Sequence, residues 1–507
     1  MQKLFLSLLM MAGVVVAITS CSDQGEDFVD PTAGADYFAM YEEMAMKNLE
    51  DMEANRQAFQ IVQGPITANA TWTNDRIWVL RGPVVVPNGV TLTIEAGTIV
   101  KAFPGQAARS SFLVVDTDGQ LIADGTEEDP IIFTSLADRI EPGQVIIPAE
   151  LANFRLPAAA RGLWGGILML GNAPVIAPAG ANFVEGIPEG AVSSGPGGTV
   201  NVPRQYGGSV MDDNSGTLRY VSIRHGGTVI GDLQQGNEIN GLTLGGVGNG
   251  TIIEFVEVFA NRDDGFEWFG GTVNSKYLIG SFCGDDTFDW DFGYNGKGQY
   301  WLAWMDIAGD RGAEQDGSAG DVICTLESVP VIVNATYAGD AEDGTDVMIL
   351  RDNAAAIYAR SLFFDHGTGV QIESIDPAVV PCSSFGRLQD GETAFIENFF
   401  NGVNGPQFVR TGFQSGAIDP ANFPNQLVNN QAISGLNLTT GVVPTNAELQ
   451  GLAELSSVVD LMGFFDNTTF VGAVDPATAN DPWAAGWTAW SFYFANPGTP
   501  GGPPTGQ

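Results

Sequence analysis

Asp263-Asp264-Gly265-Phe266-Glu267-Trp268 returns twenty-two residues later as Asp285-Asp286-Thr287-Phe288-Asp289-Trp290. An interval of ~20 residues is about one turn of a parallel β-helix, in which each coil lays its strand on the coil below and like residues stack. Read as strands, the two phrases put Phe266 with Trp268, and Phe288 with Trp290, on one face, and Glu267 and Asp289 on the other. If the aromatics face inward, the two acids stack outside at ~4.8 Å and repel by ~1–3 kcal/mol. A calcium ion would relieve that repulsion, drawing oxygens from Asp263, Asp264, Glu267, Asp285, Asp286, Asp289 and Asp291. The competing reading, which has the edge, leaves the doubled aspartates at solvated corners, accepting backbone hydrogen bonds. The spacing is neither that of an EF-hand loop nor that of a nonapeptide β-roll.

The same design extends in both directions. From Ile66 onward the pattern has period two, with glycine-bearing corners: Trp78-Val79-Leu80-Arg81-Gly82, Thr91-Leu92-Thr93-Ile94, Leu121-Ile122-Ala123, then Pro130-Ile131-Ile132-Phe133-Thr134. Trp164–Leu170, Leu218–His225, Val347–Arg351 and Tyr358–Phe364 continue it. The expected fold is all-β, a right-handed parallel β-helix over 61–381 with short helical caps. Loop insertions are expected at about 177–206, rich in glycine and proline, and at about 306–346. The second is acidic (Asp306, Asp310, Glu314, Asp316, Asp321, Asp340, Glu342, Asp343, Asp346) with little hydrophobic periodicity. His225 and His366 each close a strand before a glycine and read as corner residues.

These residues resemble a family of right-handed parallel β-helix lipoproteins and secreted proteins of Bacteroidota. The resemblance runs from about Trp72 to Trp490. It rests on Leu92-Thr93-Ile94-Glu95-Ala96-Gly97-Thr98, Pro130–Ser135, Trp164-Gly165-Gly166-Ile167, Asn172–Val175, Ser222–Gly227 and the acidic aromatic block from Asp263 to Gly298. The family brings no established catalytic residues, so the resemblance assigns none here.

At the start, Lys3 precedes an apolar run from Leu4 to Ile18, which reads as a signal peptide over 1–20. Ile18-Thr19-Ser20-Cys21 resembles a bacterial lipobox with Cys21 as the lipidated residue. Ser22 and the stretch Asp23–Asp27 resemble the sorting and surface-export signals of such lipoproteins. The expectation is a cell-surface protein held in the outer membrane by its lipid alone. A tether over 21–35 leads to a helix over 36–60, whose Phe38, Tyr41, Ala45, Leu49 and Met52 keep helical spacing; the reading is a cap on the open end of the solenoid. After Cys382, a C-terminal region over 382–495 is expected to contain a helix from Asn446 to Val459 and to form a second cap. The Pro/Gly-rich tail 496–507 reads as disordered.

Sixty acidic against twenty-one basic residues give a formal charge of −39, which argues against nucleic acid, anionic headgroups and polyuronates as ligands. Cations and neutral glycans remain. With Cys21 assigned to lipid, Cys283 reads as a packed apolar residue, while Cys324 and Cys382 are the candidate disulfide. Two histidines and no Cys-x-x-Cys leave little for a zinc or haem site.

Three functions stay open. The first and favoured is a non-catalytic surface binding or scaffold protein, with a glycan or an outer-membrane protein as partner. The second is a polysaccharide hydrolase or lyase: a hydrolase on neutral sugar would use Glu267, Asp289 and Asp291 as its carboxylates, while a lyase would want a basic residue beside calcium, which the negative charge works against. The third is a calcium-bridged surface-layer or filament component. Trp301, Trp304, Tyr294 and Tyr300 would form a glycan platform if they point outward, and core if they point inward, which burial preference favours.

Overall fold

The computed structural model describes residues 35–146, 155–178, 182–184, 187, 191–193, 199–230, 238–318, 323–325, 328–340, 344–436, 438–439, 443–478 and 482–495. The leader, Cys21, the tether up to 34 and the tail from 496 lie outside them, as do Asp321, Glu342 and Asp343. The chain forms a right-handed parallel β-helix whose strands join in one 29-stranded hydrogen-bonded system. Each coil crosses three sheets. In the coil carrying the first acidic phrase, Ile252–Phe259 supplies the first and second sheets and Phe266–Phe269 the third. The next coil repeats this with Ser275–Ser281 and Phe288–Asp291. The register is the one the sequence suggests, Phe266 on Phe288, Glu267 on Asp289 and Trp268 on Trp290.

The bend between the first and second sheets is made by one residue per coil in the left-handed region. Tyr220, Phe255, Tyr277 and Tyr300 have φ of 48°, 53°, 59° and 62°. An L-residue there costs ~1–2 kcal/mol. Aromatic stacking offsets the cost, because the four rings form a column with centroids 4.4, 4.2 and 4.6 Å apart, each contact contributing ~0.5–1.5 kcal/mol. Inside the coils a single core runs the length of the solenoid, with Trp164, Trp268, Trp290 and Trp301 fully buried in it.

The β-helix is more continuous in its middle, and longer past 381, than the sequence suggests. The region 306–346 is not an insertion. Arg311–Asp316 is a third-sheet strand, and Val331–Val333 and Thr336–Ala338 continue the first and second sheets. Its inward positions are Ala313, too small to signal a core, and Gln315, whose buried amide bonds Tyr358 Oη. Coils also continue past 381 to Leu427–Val428 and Gln431–Ala432. By contrast, the insertion at 177–206 does leave the coil; Ala191–Ser193 and Thr199–Asn201 pair only with each other, while Val184, Ile187, Val200 and Val202 pack on the outside of the third sheet. Cys324 and Cys382 form a disulfide with Cα atoms 5.6 Å apart, and Cys283 is buried in the core.

Both terminal regions lie on the flank of the second sheet instead of covering the ends. The N-terminal helix spans Ala35–Ala54 and gives way to the strand Phe59–Pro65 after Arg56, at φ 55°. Its Tyr41, Ala45 and Met52 pack on Ile77 and Val79, which alternate with the inward Trp78 and Leu80, and Asn48 donates to the carbonyls of Leu136 and Ala137 at 2.9 and 3.0 Å. No α-helix forms over 446–459. Ala447–Leu449 and Leu455–Ser457 are single 3₁₀ turns, Gly451 adopts φ 68°, and the amides of Leu452 and Leu455 bond Thr469 and Thr468 across the segment.

The last residues run back along the second sheet as a strap. Ala473, Val474, Ala484 and Trp490 cover Ile279 and Leu302. Glu257, fully buried, receives the first free amides of the helix Ala489–Ala495, from Ala489 at 2.9 Å and Trp490 at 2.8 Å, as well as the Ser222 hydroxyl. Glu257→Gln keeps one acceptor and turns the other into a donor facing an N–H. It is expected to cost ~1–2 kcal/mol and to speed protease cleavage between 471 and 495. An unchanged digestion rate would show that the strap is held by its apolar face alone.

Candidate functional site

The two phrases build an acidic column on the outer face of the third sheet. Thr243, Glu267, Asp289 and Glu314 are successive partners in the ladder, one per coil. Ahead of each strand, Asp264 and Asp286 occupy equivalent turn positions, and Arg311 takes that place one coil later. At the mouth stand Asp263 and Asp310, partly exposed, and Asp285, exposed. One oxygen from each of Asp264, Glu267 and Asp289 lies within 4.8 Å of the others, and the same holds for Asp263, Asp264 and Asp285 and for Asp285, Asp286 and Asp310.

Burial decides what these acids can do. Glu267 and Asp289 are only 3% and 4% exposed, and Asp264 and Asp286 are also buried, so the solvated-corner reading does not hold for them. The tight turns that begin each strand point these carboxylates under the neighbouring coil. There the Asp286 amide donates to Asp264 Oδ1 at 2.9 Å, and Asn240 donates its side-chain amide to Glu267. One oxygen of Asp286 and one of Asp289 have no hydrogen-bond partner among the described residues. Loss of hydration, then the neighbouring carboxylates, pushes Asp264, Asp286 and Asp289 well above the usual carboxylate range. At the mouth, Asp285 reaches water, yet the surrounding protein, then Asp310, raises it to about 6. An uncompensated buried carboxylate costs several kcal/mol, so such a group takes a proton or a cation.

Two arginines unremarked in the sequence balance the downstream end. Arg311 pairs with Asp310 and Glu314 at 2.6 Å each and with Asp286 at 3.7 Å, while Arg351 pairs with Glu314 and, at 2.7 Å, with Asp316. Asp291 does not join the clusters; it sits two residues past Asp289, beside Asp316, which burial and then Asp291 raise well above the ordinary range. Asp310, Arg311 and Glu314 escaped notice as site residues because their strand read as a loop. Stepping the repeat on by one more coil would have found them, since Arg311-Gly312-Ala313-Glu314 aligns with Asp286-Thr287-Phe288-Asp289.

The glycan platform is not formed. Trp301 and Tyr294 are fully buried in the core, and the Tyr294 hydroxyl donates to the Val273 carbonyl at 2.9 Å. Tyr300, 6% exposed, closes the aromatic column. Trp304 is half-buried under the strap, its ring 4.7 Å from that of Phe494. His225 and His366 are buried corners that each donate a ring N–H to a backbone carbonyl, of Ala160 and Tyr337 respectively, and burial pushes both down to about 4.

A family model for a pectate-lyase-like beta helix domain matches residues 64–146 and 155–488, most of the chain. The chain belongs to that family. Among solved structures, this pectate-lyase-like β-helix is similar to the catalytic domain of a GH87 alpha-1,3-glucanase variant in complex with tetrasaccharides, at 9% identity and a TM-score of 0.30. That match covers 77% of this chain and 66% of the glucanase chain, just under two thirds of its length. No curated protein matches the sequence. Among the described residues of this family member, no helix is long and apolar enough to cross a membrane.

Proposed function

We propose that this β-helix is a polysaccharide-active hydrolase acting on a neutral glycan, with Asp285 as general acid–base and Asp310 or Asp263 as its carboxylate partner. The observation that supports this is the cluster of Asp285, Asp286 and Asp310, one oxygen from each within 4.8 Å of the others and open to water through Asp285. Retaining glycosidases hold two carboxyl groups ~5 Å apart, whereas inverting ones need ~6.5–9.5 Å, so the anomeric configuration of the first products reports the separation at which the pair works. Glu267 and Asp289, the sequence candidates, lie too deep to meet a polymer. The name of the family points to pectate lyases, but a lyase acts on an acidic polymer and wants a free basic residue. Here the charge of −39 repels a polyanion, and Arg311 is committed to three carboxylates.

The inner cluster of Asp264, Glu267 and Asp289 fits calcium. Its donors are all oxygens, they converge, and the unpartnered oxygen of Asp289 leaves room for a ligand. When bound, the ion would supply the positive charge that keeps these acids ionised. The pH dependence follows from the raised values. The folded protein keeps protons that unfolded aspartates lose near ~3.9, so stability falls as pH rises from there. In chelator, the melting temperature should therefore drop between pH 5 and pH 8. Calcium at a hundredfold excess over its dissociation constant should restore ~2.7 kcal/mol, or a few degrees, more at pH 8 than at pH 5. Asp289→Asn should abolish the response; an equal calcium shift in that variant would remove the ion from this site.

Binding without turnover is the second reading, favoured by the depth of Glu267 and Asp289. Both readings suit a lipid-anchored protein at the outer-membrane surface, with a glycan or an outer-membrane protein as partner. Incubation with neutral and acidic glycans, scoring complex and product separately, tells them apart. Calcium-driven self-association with neither complex nor product would instead favour the filament reading.

A further inference from the structure

The flank that carries the acidic column also holds a cavity of about 480 Å³. It lies between the end of the strand Phe112–Val115, the turn after Ile167–Leu170 and the insertion. Asp116 and Asn172 come from the β-helix, while Phe183, Asn201, Arg204 and Gln205 come from the insertion. The insertion closes on itself through the bridge between Phe183 and Gln205, and the Gly207 amide ties it to the β-helix by bonding the Gly171 carbonyl at 2.8 Å. Its Tyr206 ring packs 5.9 Å from Phe269, which is two residues past Glu267. The insertion therefore packs on the sheet face that carries the acids, and the cavity lies where the third-sheet strands of the preceding coils end, across the sheet from the acids that stand ahead of theirs.

Its size falls in the ~300–1,000 Å³ range of small-ligand sites. Its walls carry one carboxyl, Asp116, and one guanidinium, Arg204, so no net charge selects an ion. Asn201 and Gln205 are exposed, and their side-chain amides make no hydrogen bond among the described residues. Arg204 lies 4.2 Å over the Phe183 ring, which gives the cavity a flat wall. Planar amides donate and accept at once, as paired hydroxyls require, and a flat aromatic–guanidinium wall suits the C–H face of a sugar ring. We infer that this cavity is a subsite for a short stretch of neutral, hydroxyl-rich glycan, holding the chain that the carboxylates act on. The inference rests on the hydrolase reading only for that last step.

The test uses the purified protein with cellotetraose, laminaritetraose, maltotetraose and mannotetraose as probes and trigalacturonate as the acidic control, followed by titration calorimetry and saturation-transfer NMR. At least one neutral tetrasaccharide should bind and the acidic one should not. Asn201→Ala with Gln205→Ala should weaken binding tenfold or more, and Phe183→Leu should weaken it less. Both amides are exposed, so these variants should melt like the parent. No binding by any neutral probe, or equal affinity in the Asn201/Gln205 variant, would overturn the subsite. Cavity-dependent binding with no product from any neutral glycan would sink the hydrolase reading and keep the cavity.

Discussion

Asp285→Asn is expected to slow hydrolysis of a neutral glycan by ~10²–10⁴-fold, the usual contribution of a general acid. The loss should fall on kcat, because the proton is given in the transition state and not on binding. It should shrink for substrates whose leaving group is already a good one, such as aryl glycosides, which need little protonation. The parent should lose activity as pH rises past about 6, since the Asp285 acid must carry its proton to act, and this limb should vanish in the variant. Folding should be unharmed or slightly favoured, because the substitution removes a charge facing Asp310. Equal turnover in both proteins, on a glycan shown to be cleaved, would remove Asp285 from the mechanism.

Trp301→Ala is expected to cost ~3–5 kcal/mol in denaturant unfolding. The ring is fully buried, stacked 4.9 Å from Trp268 at an interplanar angle of 4°, and 4.8 Å from Phe288. These neighbours are the inward residues that alternate with Glu267 and Asp289, so the cavity left behind should also loosen the carboxylates. The calcium response should weaken in parallel. Trp304→Ala, at the half-buried position under the strap, should cost less and should instead expose the strap to protease. The reverse order would mean that the two faces of the strand Lys297–Trp304 are assigned the wrong way round.

The fold was legible wherever inward positions carry large apolar residues. The strands around Phe266–Trp268 and Phe288–Trp290 alternate aromatic and acid so strictly that their register could be read from them, while which face turns inward rested on burial preference alone. The pattern vanished at Arg311–Asp316, where Ala313 and a hydrogen-bonded Gln315 replace aromatics in the same core column. Leu449, Leu452, Leu455 and Val458 keep helical spacing, yet Gly451 and the cross-bonds to Thr468 and Thr469 impose an extended strap. Spacing cannot show an acceptor that lies elsewhere in the chain. The acids of the candidate site were visible from their repetition, but their burial was not. That depends on Asn240 and the coil turns above them, and on Arg351, which pairs with an acid thirty-five residues earlier. The cavity escaped notice altogether, because Asp116 and Gln205 become neighbours only when the insertion folds back.

The strap changes how this solenoid holds together. In a β-helix each coil touches only the next, so stability behaves as a one-dimensional sum and coils can fray from an end. Here residues of the strap between 466 and 490 reach Glu257, Lys276, Asn334 and Arg360, which lie on different coils of one successive run. A coil that opens in the middle must therefore also break bonds to a segment that the other coils of the run share. This single stretch thus couples the coils into one cooperative block, and a chain lacking it would keep its winding but lose its all-or-none melting.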